Sequence, residues 1–395
     1  MKVVMMNYDF KVFWKGRMTY LHHFLISKNI EFYALELFGK GSPYAFDSAY
    51  AGANNWWTCL FPGNSADEIS KDVMKAKLFK MLDDIKPDVI IASSIVFFAG
   101  ALGLRWAKKN KKKFIMFENA KPSQFIRNGV VQKVKDTLIG QADALWLPSD
   151  DYDAEYPEFK AKGALFFYGY CCVDNRLFQT HQNSLNQNIL LCVARLVPIK
   201  NIDALLKSWK IVETANTGYA LQIIGDGPEL EKLQALAAGL DLNTVKFVGA
   251  VDNQEILPYF EAADGFILPS LSETWGLVVN EAMAAGLPVL LSNKINAAHT
   301  LLIEGETGFG FEPTDIDAMA NAILRYINLP AGEKLKMSKK SAQLISTMDY
   351  EHMGKRLYDA LLQLEKRPYK KPGIVAGALI KLWDGRYSTF AWNRL

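Results

Sequence analysis

Short apolar runs recur along the chain, each followed by a stretch of helical periodicity. That alternation restricts the fold to parallel sheets wound by helices. In the first half the runs are 3–7, 31–35, 89–93, 114–117, 144–147 and 165–167, and in the second half 189–194, 221–225, 245–248, 265–268 and 289–291. A polar stretch, 179–188, separates the two sets and reads as a linker. With 395 residues, half of them apolar, the chain can build more than one core. The spacing predicts an α/β protein of two domains, 1–180 and 181–362, followed by a tail over 363–395.

Composition narrows the partners. A net charge of +3, with no basic stripe interleaved with aromatics, argues against nucleic acid. Cys59, Cys171, Cys172 and Cys192 lie in apolar surroundings without metal-ligand spacing, so buried thiols in a reducing compartment are expected. The opening Met1–Met6 reads as a strand rather than a signal peptide. No run of eighteen apolar residues occurs, so no transmembrane span is expected and a cytoplasmic setting follows.

The densest chemistry lies at 271–288, LSETWGLVVNEAMAAGLP, directly after the apolar run 265–269. A strand there is expected to turn into a helix capped by Ser272 or Thr274, with Val278, Met283 and Ala284 on its apolar face and Gly286 at its end. Gly276 would admit a ligand close to the backbone. The amides of Thr274, Trp275, Gly276 and Leu277 would face an anion, since the first N–H groups of a helix lack internal partners and carry its positive end. Glu273 and Glu281, with seven residues between them, could accept hydroxyls on either side of a phosphate. The plainer reading makes them a loop acid and a first-turn acid.

The pattern E-x7-E followed by AMAAGLPV resembles the signature of the retaining, nucleotide-sugar-dependent glycosyltransferases of GT-B fold, often numbered family four and also called glycosyl transferases group 1. The segments ARLVPIKN (194–201), IIGDGPE (223–229) and VKFVG (245–249) match the same family in order, so the similarity covers about 173–315. The first half is similar only in layout. The resemblance implies two Rossmann-like domains facing a cleft, with a nucleotide sugar held mainly by the second. It also implies transfer of a hexosyl unit, with retention, from a UDP- or GDP-linked donor to a hydroxyl of a glycan or lipid-linked acceptor. Surface polysaccharide, lipopolysaccharide or glycolipid synthesis is the context, without a metal or other cofactor.

Each site residue takes a role on that basis. Arg195 and Lys200 follow a strand and would neutralise the departing diphosphate, because fixed cations aimed at developing charge lower the barrier. Glu273 would hold sugar hydroxyls and Glu281 the ribose. Gly225, in a Gly-Asp-Gly-Pro turn that is no dinucleotide fingerprint, would allow close contact with ligand or neighbouring backbone. The stretch up to Val251 corresponds to the edge that binds the base. Gly16, alone before a helix containing His22 and His23, stands where relatives have a glycine-rich loop beside the acceptor. Glu118 stands where many relatives carry a histidine near the transferred sugar, and could orient that sugar or receive the acceptor proton. Asn296, Ala297 and Ala298 replace paired glycines.

Other features carry weaker signals. Asp151 and Asp153 form a D-x-D pattern, which reads as helix-start acids rather than a metal site. Five lysines within 108–113 are ordinarily solvated charge, the alternative being contact with anionic lipid. The basic, aromatic tail with Trp383, Tyr387, Phe390 and Trp392 is expected to pack back on the first domain, ahead of membrane contact. Two other functions compete: a sugar-nucleotide epimerase, which would need no acceptor, and a binding scaffold without turnover.

Overall fold

The structure, a computed structural model, describes residues 1–10, 12–41, 55–124, 129–161, 163–179, 187–215, 217–252 and 255–387. Phe390 and Trp392 lie outside them. The chain divides into two units, Met1–Tyr170 with Tyr350–Leu395, and Cys171–Asp349.

The first unit holds seven parallel strands: β1 (Lys2–Asn7), β2 (Glu31–Phe38), β3 (Trp57–Phe61), β4 (Val89–Ser93), β5 (Lys113–Phe117), β6 (Ala144–Leu147) and β7 (Leu165–Tyr168). Their order is β3-β2-β1-β4-β5-β6-β7, so the direction of winding reverses between β1 and β4. Val3, Val4, Met5 and Met6 are all completely buried, as a central parallel strand covered on both faces requires. β3 was missed by sequence pattern. Its run, WTCLF, is short and mixes a threonine into the apolar residues, yet Trp57, Cys59 and Leu60 are buried.

The second unit has six parallel strands: β8 (Ile189–Val193), β9 (Ala220–Ile224), β10 (Val245–Gly249), β11 (Gly265–Leu268), β12 (Val289–Ser292) and β13 (Gly308–Phe311). The order is β10-β9-β8-β11-β12-β13, with the reversal between β8 and β11. Its core packs Leu190, Leu221 and Ile267 of the sheet against Leu205, Trp209 and Ile323 of the covering helices. Both sheets are Rossmann-like, and the pair is the architecture of the GT-B fold.

The chain returns to the first unit earlier than expected, at Tyr350 rather than at 363, and leaves it at 170 rather than at 180. The returning helix Tyr350–Lys366 lies on the helix Val12–Ser27, where Gly354 leaves no room for a Cβ against Tyr20 and Phe24. An uninterrupted helical pattern hides that change of partner, because the periodicity does not say which sheet a helix covers.

Candidate functional site

Two of the polar residues singled out in the second half, Lys200 and Glu273, meet at the point where its winding reverses. Ligands in open parallel sheets bind beyond the carboxyl ends of the strands at such a point. The turn after β8 carries Arg195 and Lys200, and the turn after β11 carries Glu273. Lys200 Nζ donates to Glu273 Oε1 across the gap between these strands, each side chain retaining about 15% exposure. Ser270 Oγ donates to the same carboxylate oxygen, at 3.1 Å. A partly buried carboxylate thus holds a lysine in place at the strand ends.

The loop bearing Arg195 is fixed by glycines. Gly225 has φ 138°, and a Cβ there would lie 1.9 Å from the Ala194 carbonyl; at Gly227 it would lie 2.4 Å from that of Leu196. The missing side chains let Leu196 N donate to Asp226 O at 2.9 Å and Ala194 N to Ile224 O at 3.0 Å. Of the two roles open to this turn, close approach of neighbouring backbone is the one the geometry supports.

Two expectations for the next helix need correction. It runs from Leu277 to Ala284, and its N-cap is Gly276 in the left-handed region, φ 100°, not Ser272 or Thr274. Neither of those residues is the cap, and both side chains are exposed. The buried face is Val279, Asn280, Ala282, Met283 and Ala284, while Val278 is half-buried. The first helical amides, from Leu277 on, therefore follow a glycine that adds no bulk in front of them. Trp275 is 2% exposed, and its indole Nε1 donates to Asn280 Oδ1 at 2.9 Å, tying the turn to the helix from beneath. Asn280 Nδ2 in turn donates to Cys171 O at 3.2 Å. Thr274 is exposed.

Glu281, one turn into this helix, is half-buried, and no side-chain hydrogen bond or ion pair to it is present among the described residues. Burial pushes its carboxyl up to about 7, because desolvation disfavours the charged form and no nearby cation offsets it. A carboxyl so placed suits a ligand that brings its own hydroxyl donors. Val251 is half-buried just past β10.

The first unit places its expected residues differently. Gly16 is inside the helix Val12–Ser27, not before it. A Cβ there would lie 2.4 Å from Tyr350 Oη, so its local role is helix packing. The pattern around Gly16 reads as a loop because the tyrosine that requires a glycine is far along the chain. Glu118, just after β5, accepts the amides of Asn119 and Ala120, both at 3.1 Å, and pairs with Ser94. Burial nevertheless holds its carboxyl above the usual range. Beside the carboxyl ends of these strands lies an aromatic group: Trp14 stacks on Tyr170 at 6.1 Å, and Phe117 packs against both. Arg17, 2% exposed, lies over Trp14 at 4.1 Å and donates to Tyr170 O at 2.8 Å.

The weaker signals fall to structural partners. Asp151 pairs with Lys121, and Asp153 with Lys160 at 2.6 Å and Tyr168 Oη at 2.8 Å. Among the described residues no cluster of His, Cys, Asp and Glu is placed to hold a metal. Lys108 forms a buried pair with Asp143 at 2.8 Å, Lys112 pairs with Asp88, and Lys113 donates to the carbonyls of Arg367 and Pro368. His22 stacks on Trp56 at 4.1 Å, and burial lowers its basicity. Ala297 and Ala298 are buried, and Asn296 Nδ2 donates to Thr274 O at 3.1 Å. With the amide bonds Asn296 N to Glu273 O and Ala297 N to Trp275 O, both 3.3 Å, that segment braces the Glu273 turn.

Sequence reasoning missed Asn201. It sits in the left-handed region, φ 59°, directly after Lys200, and its Nδ2 donates to Pro269 O at 3.2 Å and Pro313 O at 2.8 Å. One buried amide thereby joins the Lys200 turn to the end of β11. The available signal was an asparagine closing a Pro-x-Lys turn, since asparagine tolerates that backbone region.

Comparison with known proteins agrees with this geometry. Residues 173–344 match the family model described as glycosyl transferases group 1. An uncharacterized glycosyltransferase of Haemophilus influenzae is 35% identical over 158 residues, covering 40% of this chain and 44% of that protein. A GDP-mannose-dependent monoacylated alpha-(1-6)-phosphatidylinositol monomannoside mannosyltransferase of Corynebacterium glutamicum is 30% identical over 186 residues, 45% of this chain and 48% of its own. The chain thus spans less than half the length of these relatives. Among solved structures, Anabaena Alr3699/HepE in complex with UDP superposes with a TM-score of 0.72 at 18% identity, over 92% of this chain and all of that one.

Proposed function

We propose that this chain, whose residues 173–344 match the glycosyl transferases group 1 model, transfers a hexosyl unit from a nucleoside diphosphate sugar to an acceptor hydroxyl with retention at the anomeric carbon. The observation that carries the reading is the Lys200–Glu273 contact across the reversal between β8 and β11, with the start of the helix Leu277–Ala284 beside it. Glu273 prepositions the ammonium where a diphosphate would lie and accepts hydroxyls of the sugar. Lys200 and Arg195 stabilise the charge that develops as the bond from the anomeric carbon to the phosphate oxygen breaks. The amides of Thr274, Trp275, Gly276 and Leu277 complete the phosphate cradle.

Glu281 accepts the ribose hydroxyls, which supply the donors its half-buried carboxylate lacks. The base lies along the edge that ends at Val251, and Gly225 keeps the neighbouring turn close beneath. In the first unit Glu118, its basicity raised by burial, is the group suited to accept a proton from a hydroxyl bound there. The acceptor is a glycan or a lipid-linked saccharide, in keeping with the phosphatidylinositol mannoside named for the Corynebacterium relative. The UDP in the Anabaena structure favours uracil as the base, and the GDP-mannose-dependent relative favours guanine.

A thermal-shift screen against UDP, GDP, ADP and dTDP without added metal tests the donor site. A rise in melting temperature with one nucleotide is expected, because a ligand that binds only the folded state must stabilise it. No shift with any of them, with or without magnesium, would overturn the reading.

A further inference from the structure

The helix Ile374–Leu382, in the first unit, departs from the usual relation between a surface helix and its core. Its buried side is small, Ala376 and Ile380. Its other side is apolar as well: Ile374 is 95% exposed, Val375 70% and Leu382 80%, with the exposed Ala378 between them at helical spacing. A soluble surface helix normally turns charged residues outward.

This helix is also firmly seated. Arg105, itself 8% exposed, donates to the carbonyls of Ile380 and Trp383 and to Asp384 Oδ1, all within 2.8 Å. Trp383 Nε1 donates to Ile95 O at 2.7 Å, and Arg386 pairs its backbone with Val96 and Phe98. The exposed aliphatics are therefore held outward by an anchored element.

The flanks decide what covers them. Between 366 and 386 the chain carries six exposed cations, Lys366, Arg367, Lys370, Lys371, Lys381 and Arg386, against one acid, Asp384, which Arg105 already neutralises. A second copy of this face would bring like charges together across a two-fold axis. A surface of fixed negative charge over an apolar layer satisfies both the cations and the aliphatics. Nine residues span about 13.5 Å, far short of a bilayer, so the helix would lie in the interface plane.

We propose that the outward face of the helix Ile374–Leu382, with its flanking lysines, docks on an anionic lipid bilayer. This assignment does not depend on turnover. It also moves the lipid contact away from the lysines of 108–113, three of which have protein partners.

Co-sedimentation of the full chain with vesicles of phosphatidylcholine, with and without phosphatidylglycerol, tests it. Binding that requires phosphatidylglycerol is expected. Combined Ile374→Ser, Val375→Ser and Leu382→Ser should weaken binding by about tenfold or more, and Lys371→Glu with Lys381→Glu by a similar factor. Melting temperature should hardly change, because the replaced side chains are exposed. No binding to either vesicle, or unaltered binding by both variants, would overturn the proposal. So would a vesicle-free dimer that the serine variant abolishes, since that would assign the face to a second copy.

Discussion

The two sheets share one winding rule and differ in what they place at the reversal point. In the second unit the ends of β8 and β11 carry Lys200, Arg195 and Glu273, with Glu281 half-buried nearby and no side-chain partner among the described residues. In the first unit the carboxyl ends of the strands carry instead the packed rings of Trp14, Phe117 and Tyr170, with Arg17 over Trp14, and Glu118 accepts the amides of its own loop. Both units bond these groups internally, but the second presents an ion pair at its strand ends and the first an aromatic cluster. The same architecture can therefore serve as a charged site or as an aromatic platform, and only the side chains at the strand ends decide which.

The sharpest way to break this contrast is to remove the lysine. Lys200→Ala should lower turnover of a nucleotide sugar by about 10²–10³-fold, the loss typical of one preorganised stabiliser of developing charge. The melting temperature should move little, since Glu273 keeps its bond from Ser270. Steady-state kinetics alongside a thermal melt checks this. Unaltered turnover would remove the chemical meaning from the difference between the units.

Glycines offer a second comparison, through stability. Gly225→Ala forces a Cβ onto the Ala194 carbonyl from a left-handed backbone, and backbone cannot give way cheaply. It should cost about 3 kcal/mol or more, combining strain and overpacking. Chemical denaturation followed by circular dichroism would report it as an early transition. A loss as small as that expected at the open Gly249, about 1 kcal/mol for its φ of 90° alone, would mean that the Arg195 loop is not pinned by this contact.

These residues also show how far sequence reached. Five of the six expected strands of the first half and all five of the second coincide with observed strands to within one residue at each end, because apolar runs between turn signals record burial directly. The exception, β2, runs on to Phe38, three residues past its expected end. The meeting of Lys200 with Glu273 likewise follows from pattern, since the turns after neighbouring strands β8 and β11 lie side by side. What was not legible depends on distant partners. Gly16 is required by Tyr350, Asn201 by Pro269 and Pro313, and the helix after Asp349 by a sheet built from the other end of the chain. Gly276 displaced the expected caps for a local reason: a left-handed residue can start a helix without a side-chain acceptor, which a preference for serine and threonine does not anticipate.

Glu281 sharpens the contrast through pH. Its carboxyl is raised to about 7 in the folded protein, above the unfolded value, so the folded state holds the extra proton between the two. The stability this contributes is complete below the unfolded value and is lost as pH rises through about 7. Glu281→Gln should abolish that decline, leaving the variant more stable at alkaline pH by on the order of 1–3 kcal/mol. Nucleotide affinity of the parent should rise over the same interval, as the carboxylate forms and accepts ribose hydroxyls. Melting temperatures across pH 5–9, about the span such a group titrates over, would reveal either trend. A flat difference between parent and variant would mean that Glu281 is solvated rather than held for a ligand.

The smallest effect is expected where the first unit uses a glycine for packing alone. At Gly16 an added Cβ meets the hydroxyl end of Tyr350, a side chain that can swing, and the residue is already helical. Replacing a glycine inside a helix by alanine recovers about 1 kcal/mol of propensity, which offsets the displacement of the tyrosine. Gly16→Ala should therefore change stability by less than about 1 kcal/mol and leave acceptor use intact. A large loss of acceptor affinity with normal stability would instead return Gly16 to the acceptor-side role that the family resemblance implies.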